Sequence, residues 1–172
     1  MDIPATLKKL REASHFYDRL APLALALPSQ AEEYDFLLSA FLSAARSVTF
    51  ALQVEQKSPY DAWFPAWRSQ LPQEDQDLLA RMVDLRNQAL KRGESPSVEV
   101  QVFIAITRLP PEHRAKACGV SWFGPPGSPP PEIGFVRHML DLGESVQEAS
   151  ALCRRYLELL NRLVTDFKDA HP

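Results

Sequence analysis

Residues Ser29–Lys57 read SQAEEYDFLLSAFLSAARSVTFALQVEQK, and the rest of the chain must pack around whatever this stretch becomes. It holds no proline or glycine and runs too long for a strand, so it reads as one long helix. At about 100° per residue, Tyr34, Leu37, Leu38, Phe41, Ala44, Ala45, Val48, Ala51 and Leu52 cover a broad apolar arc. Leu42 and Phe50 add apolar surface near the other side. Only a narrow line stays polar: Asp35, Ser39, Arg46, Thr49 and Gln53. An element that can bury most of its circumference belongs at the centre of a bundle. Ser29 with Glu32 three residues on has capping-box spacing, which predicts the helix start.

The flanking segments supply the neighbours. Pro4 to about Ala21 reads as an amphipathic helix, with Leu7, Leu10, Ala13, Tyr17 and Leu20 on one side. Pro22 and Pro28 interrupt the chain before the long helix, and so short a connection favours antiparallel packing. After the long helix, Ser58 then Pro59 reads as a cap followed by a first-turn proline. Pro65 restricts this segment to a short or bent helix. Tyr60, Trp63, Phe64 and Trp67 concentrate aromatic surface there, read first as core closing one end of the bundle and second as a partner surface. A further helix is predicted from about Pro72 to Arg92. Acids Glu74, Asp75 and Asp77 sit early and Lys91 and Arg92 late, the polarity that suits the helix dipole, and Gly93 comes next as a stop.

The period then changes. In SVEVQVFIAI, Val98, Val100, Val102, Ile104 and Ile106 alternate with other residues, a strand signal. Its expected partners are Val120–Phe123 and Ile133–Arg137, separated by GPPGSPPP at Gly124–Pro131, a loop or spacer that cannot join a ladder. Seven of the 15 prolines fall between Pro110 and Pro131, which concentrates the irregular chain there. The last helix is expected from about Ser145 to Lys168, started by a Ser145–Glu148 capping box and seamed by Val146, Ala149, Leu152, Tyr156, Leu160, Leu163 and Phe167. The predicted fold is therefore mainly α: an antiparallel four-helix bundle, one domain over residues 1–172, with a small antiparallel β-sheet inserted at about 97–140.

Composition bounds the function classes. The 172 residues are 45% hydrophobic and 24% charged with net charge -3, which suits a globular domain and argues against a surface built wholly for nucleic acid. The apolar run Leu20–Pro28 is far shorter than the about 20 residues a membrane helix needs. A long, amphipathic, acid-bearing segment precedes it, unlike a signal peptide, so a cytoplasmic protein with no membrane association is expected. Cys118 and Cys153 form no disulfide framework. With His113 and His138 they match no zinc spacing, and no metal or cofactor is expected. Phosphate-loop, dinucleotide, zinc-protease and serine-hydrolase motifs are missing.

The chemistry-bearing stretch is DLRNQALKRG, Asp84–Gly93. On a helical wheel Leu78, Leu79, Met82, Val83, Leu85, Ala89 and Leu90 form the apolar arc, and Arg86 falls near its middle. A guanidinium keeps its charge at ordinary pH, so there it needs a partner or a wet cleft. Asn87 and Lys91 lie one turn apart at the edge of the arc. Arg86, Asn87 and Lys91 thus make one candidate cationic site, with Arg46 on the long helix as its border. The plainer reading is that Arg86 pairs with an acid such as Asp35 and ties helices together.

An Arg followed by a polar residue late in a bundle helix resembles the HEPN superfamily motif. SAFLSAARSVTF, the aromatic connector and LCRRYLELLNRLV strengthen the likeness. The resemblance implies dimers and two possible activities. Active members are ribonucleases, often toxins, whose motifs face one another across the dimer; inactive ones bind nucleotide, RNA or a nucleotidyltransferase partner. Arg86 matches the motif Arg and Asn87 the polar residue after it, but Lys91 stands where the motif His is expected. A lysine with its ordinary pKa of about 10.4 stays charged and is a poor general base. The expectation is a non-catalytic binding or dimerisation module. The rivals are a ribonuclease using a substitute base such as His138, and a structural scaffold.

Overall fold

The computed structural model describes residues 2–92, 95–105, 108–109, 132–141 and 145–172, with only the backbone of 91–92. Five α-helices and three strands run through the described residues: α1 (Pro4–Leu20), α2 (Ala31–Glu55), α3 (Lys57–Ser69), α4 (Gln73–Arg92), β1 (Ser97–Ala105), β2 (Glu132–Asp141), β3 (Val146–Glu148) and α5 (Ala149–Ala170). The protein is mainly helical with a small three-stranded antiparallel sheet.

The long central helix forms as expected and is buried on several sides, through Tyr34, Leu38, Phe41, Leu42, Ala44, Ala45, Val48, Thr49 and Leu52. One core joins it to α1, α4 and α5, with α3 across one end. Phe41 is fully buried, its ring 6.3 Å from that of Tyr17 on α1 and 6.5 Å from that of Tyr156 on α5. Phe50, by contrast, stays exposed. Pro28–Glu55 is long and apolar enough to cross a membrane by length and composition, and half of that apolar window is buried inside the protein.

Three predicted helix starts are corrected. A 3-10 turn over Pro28–Gln30 precedes α2, so Ser29 lies inside the turn and does not cap with Glu32. Proline's fixed φ starts the winding one residue before Ser29. Instead the Gln30 side chain accepts the N–H of Leu27 at 3.2 Å. Ser58 does not cap α3 either. Gln56 donates back to Leu52 O and accepts from Tyr60 N, both at 2.9 Å, so the chain breaks at one residue and α3 restarts at Lys57. Pro59 then falls in the first turn, where its missing N–H leaves no bond unmade. At the last helix, Val146–Glu148 is strand β3 and Glu148 precedes α5 in extended conformation. Pairing with β2 takes up the residues of the expected capping box.

The aromatic connector is core. Tyr60 and Trp67 are buried, and Trp63 and Phe64 pack against the same cluster. Trp63 meets Phe167 of α5 at 5.2 Å, and Trp67 Nε1 donates to Asp166 at 2.8 Å.

In the sheet, β2 lies between β1 and β3. Its register with β1 runs from Ser97 opposite Leu140 to Ala105 opposite Glu132. Phe103 lies opposite Gly134, where a Cβ would sit 3.4 Å from the ring. The alternation in β1 marks a strand, yet Val98 and Val100 remain exposed. β2 extends beyond the expected Ile133–Arg137. Val120–Phe123 and Gly124–Pro131, the other expected strand and the loop, lie outside the described residues. The apolar run after α1 finds its use here. Ala26 exchanges two backbone hydrogen bonds with Val136, at 3.0 and 2.8 Å. Leu25 and Leu27 join Phe135, Leu109, Ile104 and Ile133 in a second small core.

Candidate functional site

Helix α4 buries Leu78, Leu79, Met82 and Leu85, which leaves Arg86 half-buried at the margin of the apolar arc. Its Nη1 donates to Asn87 Oδ1 at 3.2 Å. Its Nε is sealed from solvent without an acceptor. Among the described residues no carboxylate lies within ion-pair distance of this guanidinium. Asp35, the expected tie, is engaged elsewhere: its Oδ1 accepts from Ser95 at 2.6 Å and Ser97 at 3.1 Å. The Arg86–Asn87 hydrogen bond joins neighbours in sequence. The side chain of Lys91 lies outside the described residues.

Arg46 is placed differently. It is half-buried, hydrogen-bonds Thr49 through Nη1, and lays its guanidinium 4.0 Å over the Phe50 ring. It lines a cavity of about 510 Å³ that Arg86 does not line, and no hydrogen bond or ion pair joins the two arginines among the described residues. On α4 the cavity takes Leu79, Ala80, Val83 and Asp84, which precede Arg86 by up to about two turns. α3 and α5 contribute Tyr60 and Tyr156, both nearly fully buried. Burial pushes each phenol up to about 12 against the opposing pull of the nearby Arg46 charge, so both stay protonated donors at neutral pH. Sequence spacing puts Arg46 at the border of the Arg86 site, whereas the structure puts it on this cavity, and Tyr60 and Tyr156 carry no signal in the sequence beyond that of core aromatics.

His138, the candidate substitute base, is 1% exposed. Its ring stacks on Tyr34 with centroids 3.8 Å apart. Its Nδ1 lies 3.1 Å from Ser97 Oγ and its Nε2 is sealed without a partner. Burial lowers its pKa, against the opposing charges of Asp35 and Glu99. An imidazole closed off on both edges offers nothing to a substrate in solvent. Cys153 is buried as expected of core, and burial raises its thiol pKa. His113 and Cys118 lie outside the described residues.

Fold and site together describe a mainly helical protein in which Arg86 has no carboxylate within ion-pair distance among the described residues and Arg46 lines a separate cavity. The chain belongs to the family of bacteriophage lambda protein ea47, whose sequence pattern matches residues 4–117. That span includes Arg46, Arg86, Asn87 and Lys91 and excludes His138 and α5. No curated protein and no solved structure matches the chain.

Proposed function

We propose that this protein is a non-catalytic binding module that engages RNA or nucleotide phosphate through the Arg86 face. In this reading the helices form a HEPN-like antiparallel four-helix bundle that acts as a cytoplasmic homodimer. The observation that carries it is the half-buried Arg86, whose Nε is sealed without a partner and which has no carboxylate within ion-pair distance among the described residues. A guanidinium partly withdrawn from water without a counter-charge is destabilised relative to one that is paired. An anion supplied from outside offsets that cost, and a phosphate matches the guanidinium fork. Lys91 stands in the place of the motif histidine, and a lysine suits holding a phosphate better than general-base cleavage beside it.

The test is fluorescence anisotropy with a labelled single-stranded RNA, run alongside a cleavage assay in EDTA. Native protein is expected to bind without cleaving, and Arg86→Ala to bind about tenfold more weakly. Equal binding by the two proteins removes the site. Metal-independent cleavage that disappears in Arg86→Ala moves the protein to the ribonuclease reading.

A further inference from the structure

A second group of polar side chains lines the cavity between α2, α3, α4 and α5, and nothing in the Arg86 reading uses it. Its volume, about 510 Å³, falls in the roughly 300–1,000 Å³ range of small-molecule clefts. Phe64, Leu79 and Val83 give it apolar walls. Charged groups of both signs line it, Arg46 and Arg68 with Asp61 and Asp84, together with the phenols of Tyr60 and Tyr156. Arg46 commits Nη1 to Thr49 and has no carboxylate within ion-pair distance among the described residues. The carboxylate of Asp61, on the same cavity, is already held by Gln53 and Lys57, each at 2.7 Å. The phenols of Tyr60 and Tyr156 have no hydrogen-bond partner among the described residues, yet they are not among the sealed, partnerless atoms, which are Tyr34 Oη, Arg86 Nε and His138 Nε2. Both residues line the cavity while almost fully buried, and the Arg46 charge acts on both phenols.

We infer that this cavity is a binding site for a small aromatic carboxylate, the acid group meeting Arg46 and the two tyrosine hydroxyls and the ring lying against Phe64, Leu79 and Val83. With Arg46 acting on both phenols, a cation beside two hydroxyl donors selects for an anion. Of the two carboxylates on the lining, Asp61 is held by Gln53 and Lys57, and Asp84 is exposed. The apolar walls need a body that gains by leaving water. A lone inorganic ion would leave those walls wet, and a neutral ring would leave the Arg46 charge unanswered.

The site is tested by calorimetric titration of the full chain with 2-naphthoate and with its neutral counterpart 2-naphthamide. The acid is expected to bind, and the amide about tenfold more weakly. Arg46→Met is expected to weaken the acid by a similar factor. Tyr156→Phe keeps the ring in the core while deleting the hydroxyl, and should weaken the acid several-fold at unchanged thermal stability. Arg86→Ala should leave the affinity as it is, which separates this site from the RNA-binding face. The proposal is overturned if acid and amide bind alike, if Arg46→Met binds the acid as native protein does, or if 2-naphthoate shows no binding at millimolar concentration.

Discussion

The carboxylate of Asp35, near the start of α2, lies 3.6 Å from Nδ1 of His138 in the centre of β2. Ser97 of β1 touches both, at 3.1 Å to each. One polar knot therefore pins the central helix to two strands of the sheet. The imidazole at its centre is held neutral by burial, although Asp35 and Glu99 pull toward the charged form. A histidine whose folded pKa is depressed binds fewer protons folded than unfolded. Its contribution to stability is complete above the unfolded value of about 6.5 and is lost as pH falls through the lower folded value. Urea midpoints between pH 8 and 5 should therefore decline below about pH 6.5. In His138→Phe, which keeps a ring against Tyr34, that part of the slope should vanish; an unchanged slope would place the sensitivity elsewhere.

Glu55, at the end of α2, caps α1 from outside. Its carboxylate accepts the N–H of Ala5 at 2.7 Å, the N–H of Thr6 at 2.9 Å and the Thr6 hydroxyl at 2.6 Å. Burial raises its pKa, but these hydrogen bonds outweigh burial and hold it below the usual value. The stability it supplies is present above the unfolded pKa of about 4.3 and is lost as pH falls through the folded value. Replacing it as Glu55→Ala should cost about 1 kcal/mol at neutral pH, the usual worth of a helix cap. Chemical denaturation measures it, and the loss should shrink under acid conditions.

Two phenylalanines on α2 should behave oppositely. Phe41 is fully buried where α1, α2 and α5 meet, whereas Phe36 is 66% exposed. Phe41→Ala leaves a cavity and should cost roughly 3–5 kcal/mol. Phe36→Ala should stay within about 0.5 kcal/mol. Comparable losses from both would mean that Phe36 is covered in solution.

The tie between α5 and the start of α4 depends on a planar fork. Arg155 reaches Asp75 through Nε at 3.0 Å and Nη2 at 2.7 Å, and Glu74 at 3.0 Å. Lysine carries the same charge without the fork. Arg155→Lys is expected to lower stability by about 0.5–1 kcal/mol, the range for partly exposed pairs. The difference should narrow in high salt, and a thermal melt at two ionic strengths checks both statements.

The helical part of the fold was legible because α2 carries its own instructions. Its broad apolar arc predicted a buried central helix. Its narrow polar line turned out to mark both polar clusters, with Asp35 at one end and Arg46, Thr49 and Gln53 at the other. The helix starts were less legible because capping spacing competes with nearby proline and with strand pairing. Ser29 lost to Pro28, and Ser145–Glu148 to the β2 edge. The cavity was beyond a one-dimensional reading, since Arg46, Tyr60 and Tyr156 come from three helices. One signal did exist for His138. It shares the period-2 face of β2 with Val136 and Leu140, both buried, and that register places it inside and away from substrate.

Ala26 and Val136 form a single rung of sheet between residues 110 positions apart. So long a loop is expensive in chain entropy to close for two hydrogen bonds. The rung is therefore expected to form late, after the docking of α1 on α2 has carried Ala26 to its place. Blocking it with Ala26→Pro, which deletes one donor, should quicken unfolding more than it slows refolding.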